Sequence, residues 1–312
     1  MENSGINQLF QEYSAYVIRR LLSDELLSSF QDCSRFLRAQ PITVPAWQIA
    51  LPVLSCLAAG GTLEDGYTAA AAWYPVCLAS EILDSVEDRE YLPEGDLLSQ
   101  EIATNLATSF IFLALHLYAS IEDDQTTRVT RLFSILGFQA TIGQHRDLTK
   151  PSTSVEKSLE DYWETTIMKS GSVFRMGTAG AAAVASSDEY LIDALGDYGT
   201  ALGVMLQLID DCRDALTPTP DKIIWETSLP LLLYLMAIGE AKIIYPDVIS
   251  KAEWSDLLRE SGVINTIAAL LQEWHLRARE SLKPLANSSE KRILETIPSL
   301  ILHLLPLSPK EI

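Results

Sequence analysis

The sequence predicts an all-α protein of about ten helices in a single domain, residues 1–312. Apolar residues recur three and four positions apart over most of the chain, which is the spacing of amphipathic helices. Alternating runs of β-branched residues, which are typical of strands, are scarce. No shift in composition and no repeat of fixed period marks a boundary between domains.

The predicted helices run between proline and glycine breakers. Gly60 and Gly61 are expected to end the second helix. Pro41, Pro45 and Pro52 are expected to interrupt the stretch that follows the first helix. The predicted helical segments are 9–36, 49–59, 67–88, 97–118, 127–148, 155–185, 188–216, 225–245, 254–285 and 291–305.

The charge balance narrows the function. The chain has 42 acidic and 23 basic residues, a net charge of −19. Nucleic acids and anionic membrane surfaces both favour clustered Lys and Arg, so neither is an expected partner. An anionic substrate would require metal cations or a local basic patch.

Cysteine usage and hydropathy predict a cytoplasmic protein. Cys33, Cys56, Cys77 and Cys212 are widely spaced without a metal-type pattern, and we expect each to be a small buried residue. The N-terminus is polar and shows no signal peptide. The longest apolar stretches, including 106–115, are shorter than the roughly 20 residues of a membrane span, so no stable membrane insertion is expected.

The first acidic cluster closes the third predicted helix. Asp84 and Asp88 are four residues apart and therefore share one helix face. Glu81 lies one turn earlier, and Glu87 lies beside them. A solvated acidic helix end would have the same pattern.

The second acidic cluster lies in an almost wholly apolar helix. Asp210, Asp211 and Asp214 have the spacing i, i+1, i+4, and Gln207 precedes them by one turn. Carboxylates stacked four apart repel one another by a few tenths of a kcal/mol. Mg²⁺ relieves such repulsion, since it binds one or two carboxylates together with water and phosphate oxygens. Two such clusters facing each other would hold several Mg²⁺ ions around one diphosphate.

At these residues the chain resembles the trans-isoprenyl diphosphate synthase family, whose members carry a DDxxD motif on each of two helices. The segment 210–214 matches the second motif, with Gly203 and Gln207 upstream. The segment 143–147 resembles the family's G-Q-x-x-D, and Lys169 precedes Ser170 as in its K-T pair. The resemblance implies an isoprenoid synthase-type bundle around a central apolar cavity, and a homodimer.

The resemblance also implies roles for individual residues. It implies three Mg²⁺ ions and the metal ligands Asp84, Glu87, Asp88, Asp210 and Asp214. The aspartates of both clusters would be catalytic, Asp211 included, and Lys169 would contact the diphosphate. The residues bordering the reacting end of the substrate would be Gln144, Asp147 and Gln207.

Four departures from the family pattern favour a different reaction. Ser85 replaces the second Asp of the first motif. Three basic segments that hold isopentenyl diphosphate in chain-elongating members are missing: no G-K-R lies near Arg38, Arg89 has no arginine neighbour, and Glu226 replaces a lysine. Charge-assisted contacts contribute about 1.5–3 kcal/mol each, so we expect no second diphosphate to bind.

An enzyme that keeps the ionisation site and loses the second diphosphate site is expected to cyclise one allylic diphosphate. That is the chemistry of a class I terpene synthase on a prenyltransferase fold. Two prenyltransferases remain alternatives: an isoprenyl diphosphate synthase and, by resemblance, the bacterial enzymes that prenylate a tryptophan of a pheromone peptide. A non-catalytic partner subunit of a prenyl diphosphate synthase is the third.

Residues before Asp84 predict the depth of the substrate pocket. Ala79 and Ser80 are small, Val76 lies a turn deeper, and Trp73 is the first large residue. Trp73 is about 16 Å from Asp84 along an ideal helix, which predicts a C15 or C20 substrate. Ordinary core packing would equally explain Trp73.

Overall fold

Helices form almost all of the described chain. The computed structural model describes residues 2–39, 44–87, 99–121, 124–149, 154–216, 228–242 and 251–305. The helices are α1 (Glu2–Leu22), α2 (Glu25–Ser28), α3 (Gln31–Ala39), α4 (Ala46–Ala58), α5 (Leu63–Glu87), α6 (Gln100–Ala119), α7 (Asp124–Leu148), α8 (Val155–Thr166), a π-helical turn (Ile167–Gly171), α9 (Ser172–Ala185), α10 (Glu189–Leu216), α11 (Leu229–Ala237), α12 (Lys251–Glu260), α13 (Val263–Ser281), α14 (Ser289–Leu294) and α15 (Ile297–Leu302). Within these ranges β-type pairing is limited to one isolated bridge, so the predicted all-α class is confirmed.

Several predicted helices are divided in the structure. The segment 9–36 becomes α1, α2 and α3, because the Asp24 carboxylate accepts a hydrogen bond from the Leu27 amide and starts a new helix. The segment 254–285 is interrupted at Gly262, whose φ of +78° suits glycine and separates α12 from α13. The described chain therefore has more and shorter helices than the ten predicted.

The glycine stop after α4 is confirmed, but one proline breaker is not. Gly60 has a φ of +92° and lies just beyond Ala59, the residue that caps α4. Pro52 lies inside α4, although it removes a helical hydrogen bond. Its neighbours Leu51 and Val53 are fully buried, and this burial keeps the helix continuous.

The chain divides into two compact units, each drawn from separate segments. The first unit comprises Met1–Gly137, Arg175–Gly196 and Leu282–Leu294. The second comprises Phe138–Phe174, Asp197–Ser281 and Glu295–Ile312. The single domain expected from the sequence stays a prediction.

The first unit is built on α4, α5 and α6. Leu54, Leu78 and Phe110, one from each helix, are completely buried. Trp73 of α5 is also completely buried, and its ring lies against Gly177 of α9, where an added Cβ would come within 2.6 Å of the indole. Close contact between the Trp73 ring and the Gly177 backbone thus fixes the middle of α5, the helix that carries the first acidic cluster.

The second unit is organised around the later part of α10. Leu202, Met205 and Leu208 are completely buried, as are Leu232 of α11 and Leu271 of α13. The second acidic cluster therefore lies at the end of a helix whose opposite face is apolar core.

Burial and hydropathy bear on two expectations. All four cysteines are free and buried, as predicted. The expectation that every apolar segment is too short to cross a membrane is wrong for α6: within the described ranges, Gln100–Ala119 alone is long and apolar enough by length and composition. This helix contains one acidic residue and no Lys or Arg, and 39% of its most apolar window is buried within the protein.

Candidate active site

A π-helical turn in the second unit holds Lys169 and Ser170. Two glycines permit backbones to approach this turn from either side. An added Cβ on Gly143 of α7 would lie 2.3 Å from the Lys169 amide nitrogen. An added Cβ on Gly203 of α10 would lie 2.4 Å from the Ser170 carbonyl oxygen. π-Helical turns recur at functional sites, and here the turn is held between α7 and α10.

A chain of hydrogen bonds connects the turn with the second acidic cluster. The Ser170 hydroxyl donates to Gln207 Oε1 at 2.7 Å, and Gln207 Nε2 donates to Asp211 Oδ1 at 3.0 Å. The other oxygen of Asp211 accepts a 2.6 Å bond from the Tyr162 hydroxyl and a 3.5 Å bond from the Leu229 amide. Three helices, α8, α10 and α11, therefore meet at the Asp211 carboxylate, and the π turn is connected to it through Gln207.

Lys169 is the cation of this site. Its ammonium group lies 2.7 Å from Asp147 Oδ2 of α7, and 20% of the Lys169 side chain is exposed. Desolvation, together with a smaller effect of the Asp147 carboxylate, raises the pKa of Asp211, while the bonds from Tyr162 and Gln207 oppose that rise. The Lys169 ammonium group thus balances the charge of the Asp147 carboxylate, at a position that solvent partly reaches.

Asp210 and Asp214 have surroundings unlike those of Asp211. Both are exposed, and the Asp210 carboxylate accepts a 2.7 Å bond from Arg213. Burial raises the pKa of Asp210 to about 6, and Arg213 opposes the rise. Solvent reaches 56% of the Asp210 side chain and screens part of both effects.

The first acidic cluster lies at the end of α5 in the first unit. Asp84 is partly buried, whereas Glu81 and Glu87 are exposed. Surrounding protein atoms desolvate the Glu81 carboxyl, and this effect, followed by that of the Asp84 carboxylate, raises its pKa to about 7. Because the side chain is exposed, solvent screens part of both effects. Asp88, predicted as a metal ligand, lies outside the described residues.

The predicted pocket residues of α5 differ in exposure. Val76 and Ala79 are buried, and Ser80 is partly buried. Trp73 is sealed against Gly177, so its indole fills space between α5 and α9. Gln144 of α7, predicted to border the substrate, is partly buried in the second unit.

Mg²⁺ fits the chemistry of these carboxylates. In the described ranges no group of three or more His, Cys, Asp or Glu side chains is arranged to hold a metal ion by itself. Mg²⁺ used with a diphosphate needs only one or two carboxylates, because water and phosphate oxygens complete its coordination. Asp210 and Asp214, exposed and four residues apart on α10, satisfy that requirement.

Three comparisons show which known proteins this chain resembles. A family model described as polyprenyl synthetase matches residues 96–223. Hexaprenyl pyrophosphate synthase from Saccharolobus solfataricus is 28% identical over 173 residues, which are 54% of this chain and 57% of that protein. The chain thus matches little more than half the length of this curated relative.

Solved structures of low identity share the fold. A decaprenyl diphosphate synthase from Rhodobacter capsulatus superposes with a TM-score of 0.81 at 16% identity, covering 97% of this chain and 99% of its own. A polyprenyl synthase from Caulobacter crescentus, complexed with calcium and isoprenyl diphosphate, has a TM-score of 0.78 at 19% identity, covering 95% and 96%. These solved structures show the fold, and they agree with the isoprenoid synthase-type helical bundle expected from the sequence.

Of the candidate site residues, the structure pairs Lys169 with Asp147 and Gln207 with Asp211, and neither contact is visible in the sequence. The candidate residues did not include Tyr162, and Ser170 appeared only beside Lys169 in a motif. Their hydrogen bonds to Asp211 and Gln207 depend on the π turn and on contact between helices, for which local sequence carries no signal. Gly143 and Gly203 stood in recognised motifs, and their shared role in close packing is visible only in three dimensions.

We predict that Gly143→Ala destabilises the protein by about 1–3 kcal/mol, because its Cβ would overlap the backbone of the π turn. The measurement is the free energy of unfolding in urea. Gly137→Ala in the same helix is the matched control, since its Cβ would meet nothing closer than the Met176 methyl at 3.7 Å. This control should be neutral or stabilising by up to about 1 kcal/mol. Equal effects of the two substitutions would contradict the close packing described for Gly143.

Proposed function

We propose that this chain is a Mg²⁺-dependent prenyltransferase that ionises an allylic isoprenyl diphosphate. The observation that carries the proposal is the assembly around the π turn, where Lys169, Asp147 and the hydrogen-bonded Asp211 converge beside the exposed carboxylates of α10. The match to polyprenyl synthetases supports it. Four buried free cysteines suit a cytoplasmic location, which is part of the proposal.

Two carboxylate sets would hold the metal ions, of which three are expected. They are Asp84, Glu87 and Asp88 of the first cluster, and Asp210 and Asp214 of the second. When bound, Mg²⁺ neutralises the diphosphate leaving group as a Lewis acid.

The chain's own residues orient the substrate. Lys169 exchanges its contact with Asp147 for a diphosphate oxygen, so it adds a positive charge where the leaving group departs. Ser170 and Gln207, together with Gln144 of α7, would border the reacting carbon. The spacing of Val76, Ala79 and Trp73 before Asp84 on α5 is the basis for proposing a C15 or C20 chain length.

Transfer to a second substrate is the better-supported reaction. The matched family model is named for synthetases, and the curated relative and the solved structures carry names of prenyl synthases. The earlier expectation of cyclisation therefore becomes the second candidate. Ser85 and the missing basic residues still favour cyclisation, although Arg89 and Glu226 lie outside the described residues.

We predict that the purified protein with Mg²⁺ and a C10, C15 or C20 allylic diphosphate forms a longer diphosphate when isopentenyl diphosphate is added. Mass spectrometry of dephosphorylated extracts identifies the products. A cyclic hydrocarbon or alcohol without isopentenyl diphosphate would instead establish cyclisation. Turnover of none of the three substrates would contradict transfer to isopentenyl diphosphate, and would favour a peptide-prenylating enzyme or a partner subunit.

We predict that Asp210→Ala and Asp84→Ala each lower kcat/KM at least about a hundredfold, because metal stabilisation of a leaving diphosphate contributes several kcal/mol. Asp197→Ala, at an exposed position of the same helix as Asp210, is the matched control and should keep normal kcat/KM. Steady-state kinetics at saturating Mg²⁺ provide the comparison. Normal activity of both cluster variants would remove the assignment of metal ligands.

We further propose that α6 forms a homodimer interface. Between Ile102 and Ser120 the chain contains no Asp, Glu, Lys or Arg. Four large apolar side chains of this helix are exposed: Ile102 (48%), Ile111 (39%), Phe112 (64%) and Leu115 (37%). In an interface between two identical chains, a charged residue that lies near the two-fold axis faces its own copy. A helix surface without charges therefore suits contact with a second copy. An anionic membrane surface is disfavoured as the occupant by the net charge of −19.

We predict that Phe112→Asp converts the dimer into a monomer, since a two-fold interface would bury the new charge twice. Light scattering coupled to size-exclusion chromatography measures the mass. Tyr190→Asp replaces an aromatic residue that is 70% exposed elsewhere in the first unit, and it should leave the dimer intact. A wild-type monomer, or a dimer that survives Phe112→Asp, would contradict the proposed interface.

A further inference from the structure

The three aspartates near the end of α10, Asp210, Asp211 and Asp214, differ in their surroundings. Asp210 and Asp214 are exposed, whereas Asp211 is partly buried and accepts hydrogen bonds on both oxygens. Its donors come from α8, α10 and α11: the Tyr162 hydroxyl, the Gln207 amide and the Leu229 backbone. Protein donors thus take up most of the lone pairs that a metal ion would use.

An ionised carboxylate can only accept hydrogen bonds, and this fixes the orientation of Gln207. Its NH₂ group must face Asp211, at 3.0 Å, and its carbonyl oxygen must face Ser170. The Ser170 hydroxyl therefore donates its proton to Gln207, at 2.7 Å. Because the hydroxyl proton points at Gln207, the lone pairs of the Ser170 oxygen point away from Gln207 and can accept from another group.

We propose that Asp211 is a positioning residue, which through Gln207 sets the direction of the Ser170 hydroxyl on the π turn, and that it does not ligate the metal. The inference rests on the proposed function, in which positive charge develops on the substrate carbon near Ser170. A hydroxyl that presents lone pairs stabilises such charge, and one that presents its proton opposes it. The three aspartates thereby divide two tasks, metal binding and orientation.

Exchange of the amide and the carboxylate tests the direction of the chain. In Asp211→Asn the amide oxygen must face Tyr162 and Leu229, because both are donors. The new NH₂ group then faces Gln207, which turns its own NH₂ group toward Ser170 and reverses the chain. In the double variant Gln207→Glu/Asp211→Asn, the asparagine donates to the glutamate, and the glutamate again accepts from Ser170. The total charge equals that of the wild type.

The experiment compares wild type, both single variants, the double variant and Asp210→Asn. We measure the melting temperature without ligand, Mn²⁺ affinity by electron paramagnetic resonance with inorganic diphosphate present, and kcat and KM for the allylic substrate. Asp211→Asn should lower kcat by about ten- to hundredfold with KM and Mn²⁺ affinity within about twofold of wild type. Asp210→Asn should weaken Mn²⁺ binding at least about tenfold. Each single change at Gln207 or Asp211 should lower the melting temperature by roughly 2–4 °C.

The double variant should recover most of both kcat and melting temperature. Weakened Mn²⁺ binding in Asp211→Asn to the extent seen in Asp210→Asn would overturn the proposal, as would a double variant no better than the single ones. If the wild type turns over no isoprenyl diphosphate, the proposed function fails by itself. Melting temperatures and Mn²⁺ affinities would then still decide whether Asp211 orients Gln207 or binds metal.

Discussion

Close backbone contact at Gly143 and Gly203 is the constraint on which the rest of the second unit depends. Any side chain at either position would meet the peptide groups of the π turn within 2.4 Å. Because both glycines lack a Cβ, α7 and α10 hold the turn from two sides, and Lys169 and Ser170 occupy fixed positions. Placement of Lys169 beside Asp147 and of Ser170 beside Gln207 follows from that packing.

Negative charge is the second constraint, and the protein handles it differently at each carboxylate. Asp147 has a lysine partner, Asp210 an arginine partner, and Asp211 three uncharged donors. Such distinct surroundings give neighbouring residues distinct chemistry, since a carboxylate surrounded by donors is oriented while an exposed one can bind a cation. In a chain of net charge −19, cations bound at the exposed carboxylates would be the means by which an anionic substrate is attracted.

The long helices were predictable because their apolar periodicity is continuous. The segments predicted at 67–88 and 188–216 correspond closely to α5 and α10. The π turn was not predictable: 155–185 was expected to be one helix, and the widened turn depends on contacts with α7 and α10 that no local pattern encodes. The family resemblance left Asp211 out of the metal ligands, but its hydrogen bonds could not be predicted, because its donors Tyr162 and Leu229 are contributed by other helices.

Mg²⁺-dependent ionisation of an allylic diphosphate is most directly tested by the release of inorganic diphosphate from two matched substrates. Farnesyl diphosphate can form an allylic cation, whereas its 2,3-dihydro analogue has the same length and charge but cannot. With Mg²⁺ and isopentenyl diphosphate present, diphosphate should be released from farnesyl diphosphate at least about a hundredfold faster than from the analogue. Chelation of the metal should abolish this release. Equal release from the two compounds would show that diphosphate departs without an allylic cation, and would contradict the proposed chemistry.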